Sequence, residues 1–186
     1  MIFDILENSK KTKSIIGLNA YGSDNGFYCG YVLEYNEDFL IFQHFTKYGV
    51  YDGLLTLKLS DIKYIESNTI YLEGIKLLIN NEKNVLEQTF HLNKKNDFNE
   101  DFTNLFESFI GNKDYIIKIE LNDDDIFSGF IEWCDENYFT IINIDNDGLI
   151  IGKATFKFED LKLYWVDDLD TRRKKMLYNL KNRSNK

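Results

Sequence analysis

The stretch FYCGYVLEYNEDFLIFQHF, residues 27–45, recurs 99 residues further along the chain as IFSGFIEWCDENYFTIINI, residues 126–144. The match continues without a gap, so that Phe27–Ser67 aligns with Ile126–Val166. The aligned identities include Gly30/Gly129, Glu37/Glu136, Gly49/Gly148, Gly53/Gly152, Thr56/Thr155, Lys58/Lys157, Asp61/Asp160 and Lys63/Lys162. Most other aligned pairs exchange one large apolar residue for another. A repeat of this length predicts two copies of one small domain in tandem.

Each copy has the pattern of five short antiparallel strands separated by polar turns. Apolar and polar residues alternate most clearly in the fourth strand, at Leu55–Leu59 and Ala154–Phe158. A period of two with one apolar face predicts a strand that is buried on one side. A helix is predicted ahead of each copy, weakly at Ile2–Leu6 and strongly after Asp97–Glu100, which has the form of a capping box.

The segment between the copies has no counterpart after the second one. Ile70–Ile79 and Val85–Leu92 are predicted to form a β-hairpin, whose open edge would be a place for a partner strand to add. The expected organisation is a first domain at 1–67, a hairpin insertion at 68–96, a second domain at 97–168 and a basic C-terminal helix or tail at 169–186.

Charge is distributed unevenly along the 186 residues. The net charge is −9, yet residues 171–186 contain seven Lys or Arg and no acid, which leaves 15 basic against 31 acidic residues in the remainder. So acidic a body repels nucleic acid at long range. The basic segment is expected to be a docked or solvated helix, a clasp for nucleic acid or an acidic partner, or a disordered end.

Composition also bears on cellular location. The two cysteines, Cys29 and Cys134, fall at non-equivalent positions of the repeat and are expected to be small buried residues in a reducing cytosol. No apolar run approaches the roughly 20 residues of a membrane span, and no secretion signal is recognisable. We therefore expect a cytoplasmic protein without a membrane segment. Its lack of proline and its abundant Ile, Asn, Lys and Tyr suggest a bacterial or phage source.

One helix followed by five short bent strands, with a glycine in the second, resembles the Sm-like family of small SH3-like barrels. Gly129–Asp135 is similar to the first Sm motif, with an apolar residue two after the glycine and an aspartate six after it. In the first copy, Asn36 replaces that aspartate. Either side chain can cap the following turn. The resemblance implies a mainly β fold of two tandem five-stranded barrels.

The second Sm motif is absent. The family places an Arg-Gly pair or a Tyr-Lys-His run at the turn between strands four and five, where it grips RNA. This chain has Ser60-Asp61 and Glu159-Asp160 at those turns, so carboxylates replace the phosphate-binding base. The resemblance therefore implies the fold without implying the RNA site of the family.

Motifs for catalysis or metal binding are weak. The two histidines, His44 and His91, occupy no recognisable catalytic motif. Residues 143–150 begin like an EF-hand loop, but the first ligand is Asn143 and the twelfth position is Ala154. A solvated hairpin turn is the expected structure there. The sequence predicts neither an enzyme nor a cofactor or metal site.

The sequence favours a non-catalytic binding or adaptor protein, for example an acidic inhibitor or immunity-type protein that covers a basic site on a protein partner. Its candidate interaction surface contains Tyr48, Tyr51, Asp123, Asp124 and Asp125. One alternative is an RNA- or DNA-binding protein that uses Arg172, Arg173, Lys174 and Lys175. Another is a small-ligand or nucleotide binder with a pocket between the barrels. Whether the chain is a monomer or a homodimer stays open.

Overall fold

The computed structural model describes residues 2–21, 27–87 and 102–183. The chain forms two compact units, one within residues 1–82 and the other within 83–186. The predicted capping box at Asp97–Glu100, His91 and most of the predicted strand at Val85–Leu92 lie outside the described residues. Within the described residues, no helix is both long and apolar enough to cross a membrane.

The first unit contains two helices and five strands. In chain order its elements are α1 (Ile2–Thr12), β1 (Ile16–Ala20), β2 (Phe27–Tyr35), β3 (Phe39–Phe45), β4 (Tyr51–Lys58), a 3-10 turn (Leu59–Asp61), β5 (Ile62–Ser67) and α2 (Ile70–Ile79). A short helix, α3 (Glu82–Leu86), follows at the boundary of the two units.

The second unit repeats this order. Its elements are α4 (Phe102–Phe109), β6 (Ile117–Leu121), β7 (Ile126–Cys134), β8 (Tyr138–Ile144), β9 (Ile150–Lys157), a 3-10 turn (Phe158–Asp160), β10 (Leu161–Val166) and α5 (Leu169–Arg183). The prediction of a mainly β chain with two tandem five-stranded units, each preceded by a helix, is therefore confirmed.

Each unit has one antiparallel sheet with the same strand order. The order is β4-β3-β2-β1-β5 in the first unit and β9-β8-β7-β6-β10 in the second. The fourth and fifth strands thus lie at opposite ends of each sheet, and the sheets are open rather than closed barrels. The register is also repeated, because Ile16 pairs with Gly30 in one unit and Ile117 with Gly129 in the other.

The hairpin predicted between the copies is wrong, because Ile70–Ile79 forms helix α2. Thr69 caps the helix, its side-chain oxygen accepting a hydrogen bond from the backbone N–H of Leu72 at 3.2 Å. An almost wholly apolar run of this length does not distinguish a buried strand from a buried helix. Leu72, Ile75 and Leu78 are fully buried, which is why the helix has so few polar residues.

Helices α2 and α5 are the equivalent last elements of the two units. Both follow a residue with positive φ, Asn68 at 57° and Asp167 at 61°. Both have a side-chain cap, which in α5 is Asp168, whose Oδ1 accepts from the N–H of Thr171 at 2.8 Å. The repeat therefore extends beyond Ser67 and Val166, and the expected C-terminal helix is the last element of the second unit.

A glycine in the turn after the third strand positions the last helix of each unit. Gly49 and Gly148 have φ of 76° and 75°, which favours glycine. A Cβ on Gly148 would lie 2.5 Å from the backbone nitrogen of Tyr178, and one on Gly49 would lie 2.5 Å from that of Ile79. The turn and the helix can approach this closely only without a side chain between them.

Each unit has an apolar core, and the apolar face predicted for its fourth strand packs against that core through Leu55, Leu57 and Leu59 in the first unit and Phe156 and Phe158 in the second. In the first unit the core contains Leu6, Ile16, Leu18, Val32, Leu40, Phe42 and Ile62. In the second it contains Phe106, Phe109, Ile117, Ile119, Ile131, Cys134, Phe139, Ile141 and Leu161. Cys29 and Cys134 are both buried and neither forms a disulfide bond within the described residues, as expected for small core residues.

Candidate functional site

The four basic residues predicted to contact nucleic acid all interact with the second unit itself. Arg172 donates from Nη1 to the Leu86 carbonyl oxygen at 2.9 Å. The Arg173 side chain is buried and donates to the Asn146 carbonyl oxygen. Lys174 donates to Ser128 Oγ at 2.6 Å. The Lys175 ammonium lies 5.5 Å from the centre of the Phe130 ring.

These contacts dock α5 on its own sheet and on the turn between β8 and β9. Lys181 adds a hydrogen bond from Nζ to the Asp147 carbonyl oxygen at 2.5 Å. Leu177, which belongs to α5, is fully buried. Burial lowers the pKa values of Lys174 and Lys175. The basic side chains of α5 thus mostly contact other residues of the second unit.

The β8–β9 turn is also the stretch that begins like an EF-hand loop. Asp145 Oδ1 accepts hydrogen bonds from the backbone N–H groups of Asp147 at 2.9 Å and Leu149 at 2.8 Å. Gly148 has the positive φ expected of a hairpin glycine. The carboxylate therefore stabilises the turn. Within the described part of the chain, no group of three or more His, Cys, Asp or Glu side chains could hold a metal ion.

The predicted protein-interaction residues belong to different units. Tyr48 and Tyr51 lie in the first unit. Tyr48 is half-buried, with the Lys47 ammonium 4.9 Å from its ring centre. Tyr51 is 52% exposed at the start of the outer strand β4, and its ring contacts that of Phe45 with centres 6.1 Å apart.

Asp123, Asp124 and Asp125 are exposed in the turn between β6 and β7 of the second unit. Asp124 has a φ of 67°, and its Oδ1 lies 2.6 Å from Lys162 Nζ. Glu120 lies 2.7 Å from the same ammonium. The hydrogen bonds that the Lys162 ammonium donates to these two carboxylates raise the pKa of Lys162. One lysine thus partly neutralises this acidic turn.

The outer strand β9 has an apolar surface that the sequence pattern did not single out. The side chain of Ile150 is 54% exposed and that of Ile151 is 65% exposed, and both residues lie on the strand at the open end of their sheet. In the first unit the equivalent residues are Tyr51 and Asp52, and Asp52 lies 3.8 Å from His44 Nε2. A charge on an outer strand discourages the addition of another strand. β4 has Asp52 at the position where β9 has Ile151, whereas β9 has Lys153 at the position of Leu54.

The repeat already contained this signal. Aligning the copies pairs Asp52 with Ile151, and two consecutive isoleucines break the apolar–polar alternation of the strand. The importance of the pair depends on the strand order, since exposed isoleucines matter for binding when their strand lies at an edge.

His44 has a structural environment. Its Nδ1 lies 3.0 Å from the Cys29 carbonyl oxygen, and its ring meets that of Tyr28 edge-on with centres 5.6 Å apart. The equivalent residue in the second unit is Asn143.

Comparisons of the chain with protein-family models, with characterised proteins and with solved structures found no match.

Proposed function

We propose that this protein is a non-catalytic adaptor that binds an extended, basic segment of a protein partner along the outer strand β9. The observation that carries the proposal is Ile151, which is 65% exposed on an open sheet edge where the first unit has Asp52. An edge strand presents unpaired backbone N–H and C=O groups, and an added strand would pair with them while covering the exposed isoleucines.

Charge supports a basic partner. The net charge of the chain is −9, and the cations of α5 contact the second unit's own turn, sheet and helix α3. The acidic side chains therefore dominate the long-range field. A basic segment would be attracted by this field, and its binding would weaken as salt screens the charges.

We also infer that each unit is an Sm-like module. The strand order and the helix ahead of the five strands support this inference. So does the glycine in the second strand, because a Cβ on Gly30 would lie 1.8 Å from the Gln43 carbonyl oxygen and one on Gly129 2.0 Å from that of Ile142. The absence of the second Sm motif favours a protein partner over RNA.

The test is affinity purification from the native host with the wild-type chain and with Ile151→Asp, which gives β9 the charge that β4 has. Leu54→Asp is the matched control, because Leu54 is 58% exposed on β4. We expect the wild type and the control to retain the same basic protein and Ile151→Asp to lose it. With the purified partner, we expect Kd to rise at least tenfold between low and physiological salt.

Equal retention of that protein by all three chains would overturn the β9 assignment. Retention of RNA or DNA in place of protein, lost on deletion of 171–186, would instead support the nucleic-acid alternative.

A further inference from the structure

A cavity of about 230 Å³ lies in the second unit beside α5. Its charged lining residues are Glu87, Asp114, Asp167, Arg172 and Lys175. A space of this volume can hold a small metabolite.

The cavity presents both signs of charge. Arg172 and Lys175 come from α5, whereas the three carboxylates come from the segment after α3, the approach to β6 and the second residue before α5. Glu87 and Asp114 are exposed, and Asp167 is buried. A ligand with a single charge would be attracted by one set of groups and repelled by the other. A ligand with two opposite charges can satisfy both.

Arg172 lies in the wall of this cavity. Its Nη1 donates to the Leu86 carbonyl oxygen, and its buried Nε lies 3.8 Å from the Asp167 carboxylate, which is an ion pair beyond hydrogen-bond distance. The guanidinium charge is therefore only partly paired, and it can attract a ligand carboxylate.

The pair of cations on α5 has no counterpart on α2. At the positions of Arg172 and Lys175, the first unit has Glu73 and Lys76, and at the position of Thr171 it has Leu72, which is fully buried. Two cations at these positions are therefore a feature of the second unit.

We propose that this cavity binds a small zwitterion with the chemistry of a free α-amino acid. The ligand carboxylate is held by Arg172 and Lys175, and its ammonium group is held by Asp114 and Glu87. This site is independent of the partner-binding edge at β9, so either can exist without the other.

The test is a ¹H–¹⁵N NMR titration of the full chain with each of the twenty L-amino acids. We expect at least one of them to shift the amide signals of residues 171–176 in a saturable manner. The same compound without its amino group, and without its carboxylate, should bind at least tenfold more weakly.

Two variants and one control locate the site. Lys175→Gln and Arg172→Gln should each weaken binding at least tenfold. Lys153→Gln removes an exposed lysine of β9 that pairs with Glu132, and it should leave binding unchanged. Because Arg172 also donates to Leu86, Arg172→Gln can destabilise the fold. In that case the affinity of Lys175→Gln alone tests the site.

The proposal would be overturned if none of the amino acids produced a saturable shift. Equal affinity for the deaminated compound, or unchanged affinity in Lys175→Gln, would overturn it as well.

Discussion

Ser128 Oγ lies 2.6 Å from Lys174 Nζ, and these two residues occupy the positions that Cys29 and Ile75 have in the first unit. Cys29 is 3% exposed and Ile75 is fully buried. These positions of the second strand and the last helix thus carry buried apolar residues in one unit and a polar pair in the other. Burial, which lowers the pKa of Lys174, makes the polar version the more costly of the two.

The polar pair should therefore behave as a coupled unit in stability measurements. Ser128→Ala removes the hydrogen bond of a half-buried ammonium and should lower the free energy of unfolding by about 1–3 kcal/mol. The double variant Ser128→Cys/Lys174→Ile introduces the apolar residues of the first unit and should be at least as stable as the wild type. Urea unfolding followed by tryptophan fluorescence reports on this unit, since Trp133 and Trp165 both lie in it.

A double variant less stable than Ser128→Ala would show that the polar pair stabilises the docking of α5.

The close approach of Gly148 to α5 should make this glycine hard to replace. Gly148→Ala introduces both the strain of positive φ and a clash with the Tyr178 backbone at 2.5 Å. Gly111, with a φ of 72° and open space around it, is the matched control that has the strain alone. We expect about 1–2 kcal/mol of destabilisation for Gly111→Ala and clearly more for Gly148→Ala in the same urea assay. Equal losses would mean that α5 moves away at no cost.

The turn after β7 depends on one side chain. Asp135 Oδ1 accepts from the N–H groups of Asn137 and Tyr138, each at 2.8 Å, as Asn36 Oδ1 does for Asp38 and Phe39. Asp135→Ala should lower the free energy of unfolding by about 1–2 kcal/mol. Asp135→Asn keeps the acceptor and should remain within about 0.5 kcal/mol of the wild type. A large loss with asparagine would assign the effect to charge.

The ion pair between Lys10 and Glu34 should appear in a carboxyl NMR titration. The hydrogen bond from Lys10 holds the pKa of Glu34 below its usual value of 4.5. Its stabilising contribution is therefore present above pH 4.5 and is lost as the pH falls through the lowered pKa. Lys10→Met should raise the pKa of Glu34 toward 4.5. The pKa of Glu159, which Lys157 lowers in the second unit, should stay unchanged as an internal control.

The strands were predictable because the alternation of apolar and polar residues and the alignment of the two copies indicate the same segments. The fourth strands predicted at Leu55–Leu59 and Ala154–Phe158 lie within β4 and β9 except for their last residues, which begin the 3-10 turns. The turn caps at Asn36 and Asp135 were also predictable, since Asp and Asn bond to the backbone two residues on. Helix α2 was not predictable from the repeat, because the equivalent helix of the second unit, α5, is rich in basic residues whereas α2 is mostly apolar. The shared Leu78 and Leu177, both fully buried, were the available clue.

The candidate sites were less accessible to sequence reasoning. The basic residues of α5 resemble a nucleic-acid contact in sequence, whereas their hydrogen-bond acceptors are carbonyl and hydroxyl oxygens supplied by helix α3, the β8–β9 turn and strand β7. The cavity is likewise lined by residues as far apart as Glu87 and Lys175. No periodicity relates such residues, so only the folded chain shows that they meet.

The fit of Gly148 beneath α5 has a kinetic consequence. The contact joins residues about thirty positions apart, so its loop closes at a greater entropic cost than the β8–β9 hairpin. We expect the hairpin to form before the folding barrier and the helix to dock after it. A poorer fit would then speed unfolding while leaving the folding rate nearly unchanged. The lifetime of the native second unit would be set by how tightly one turn holds its final helix.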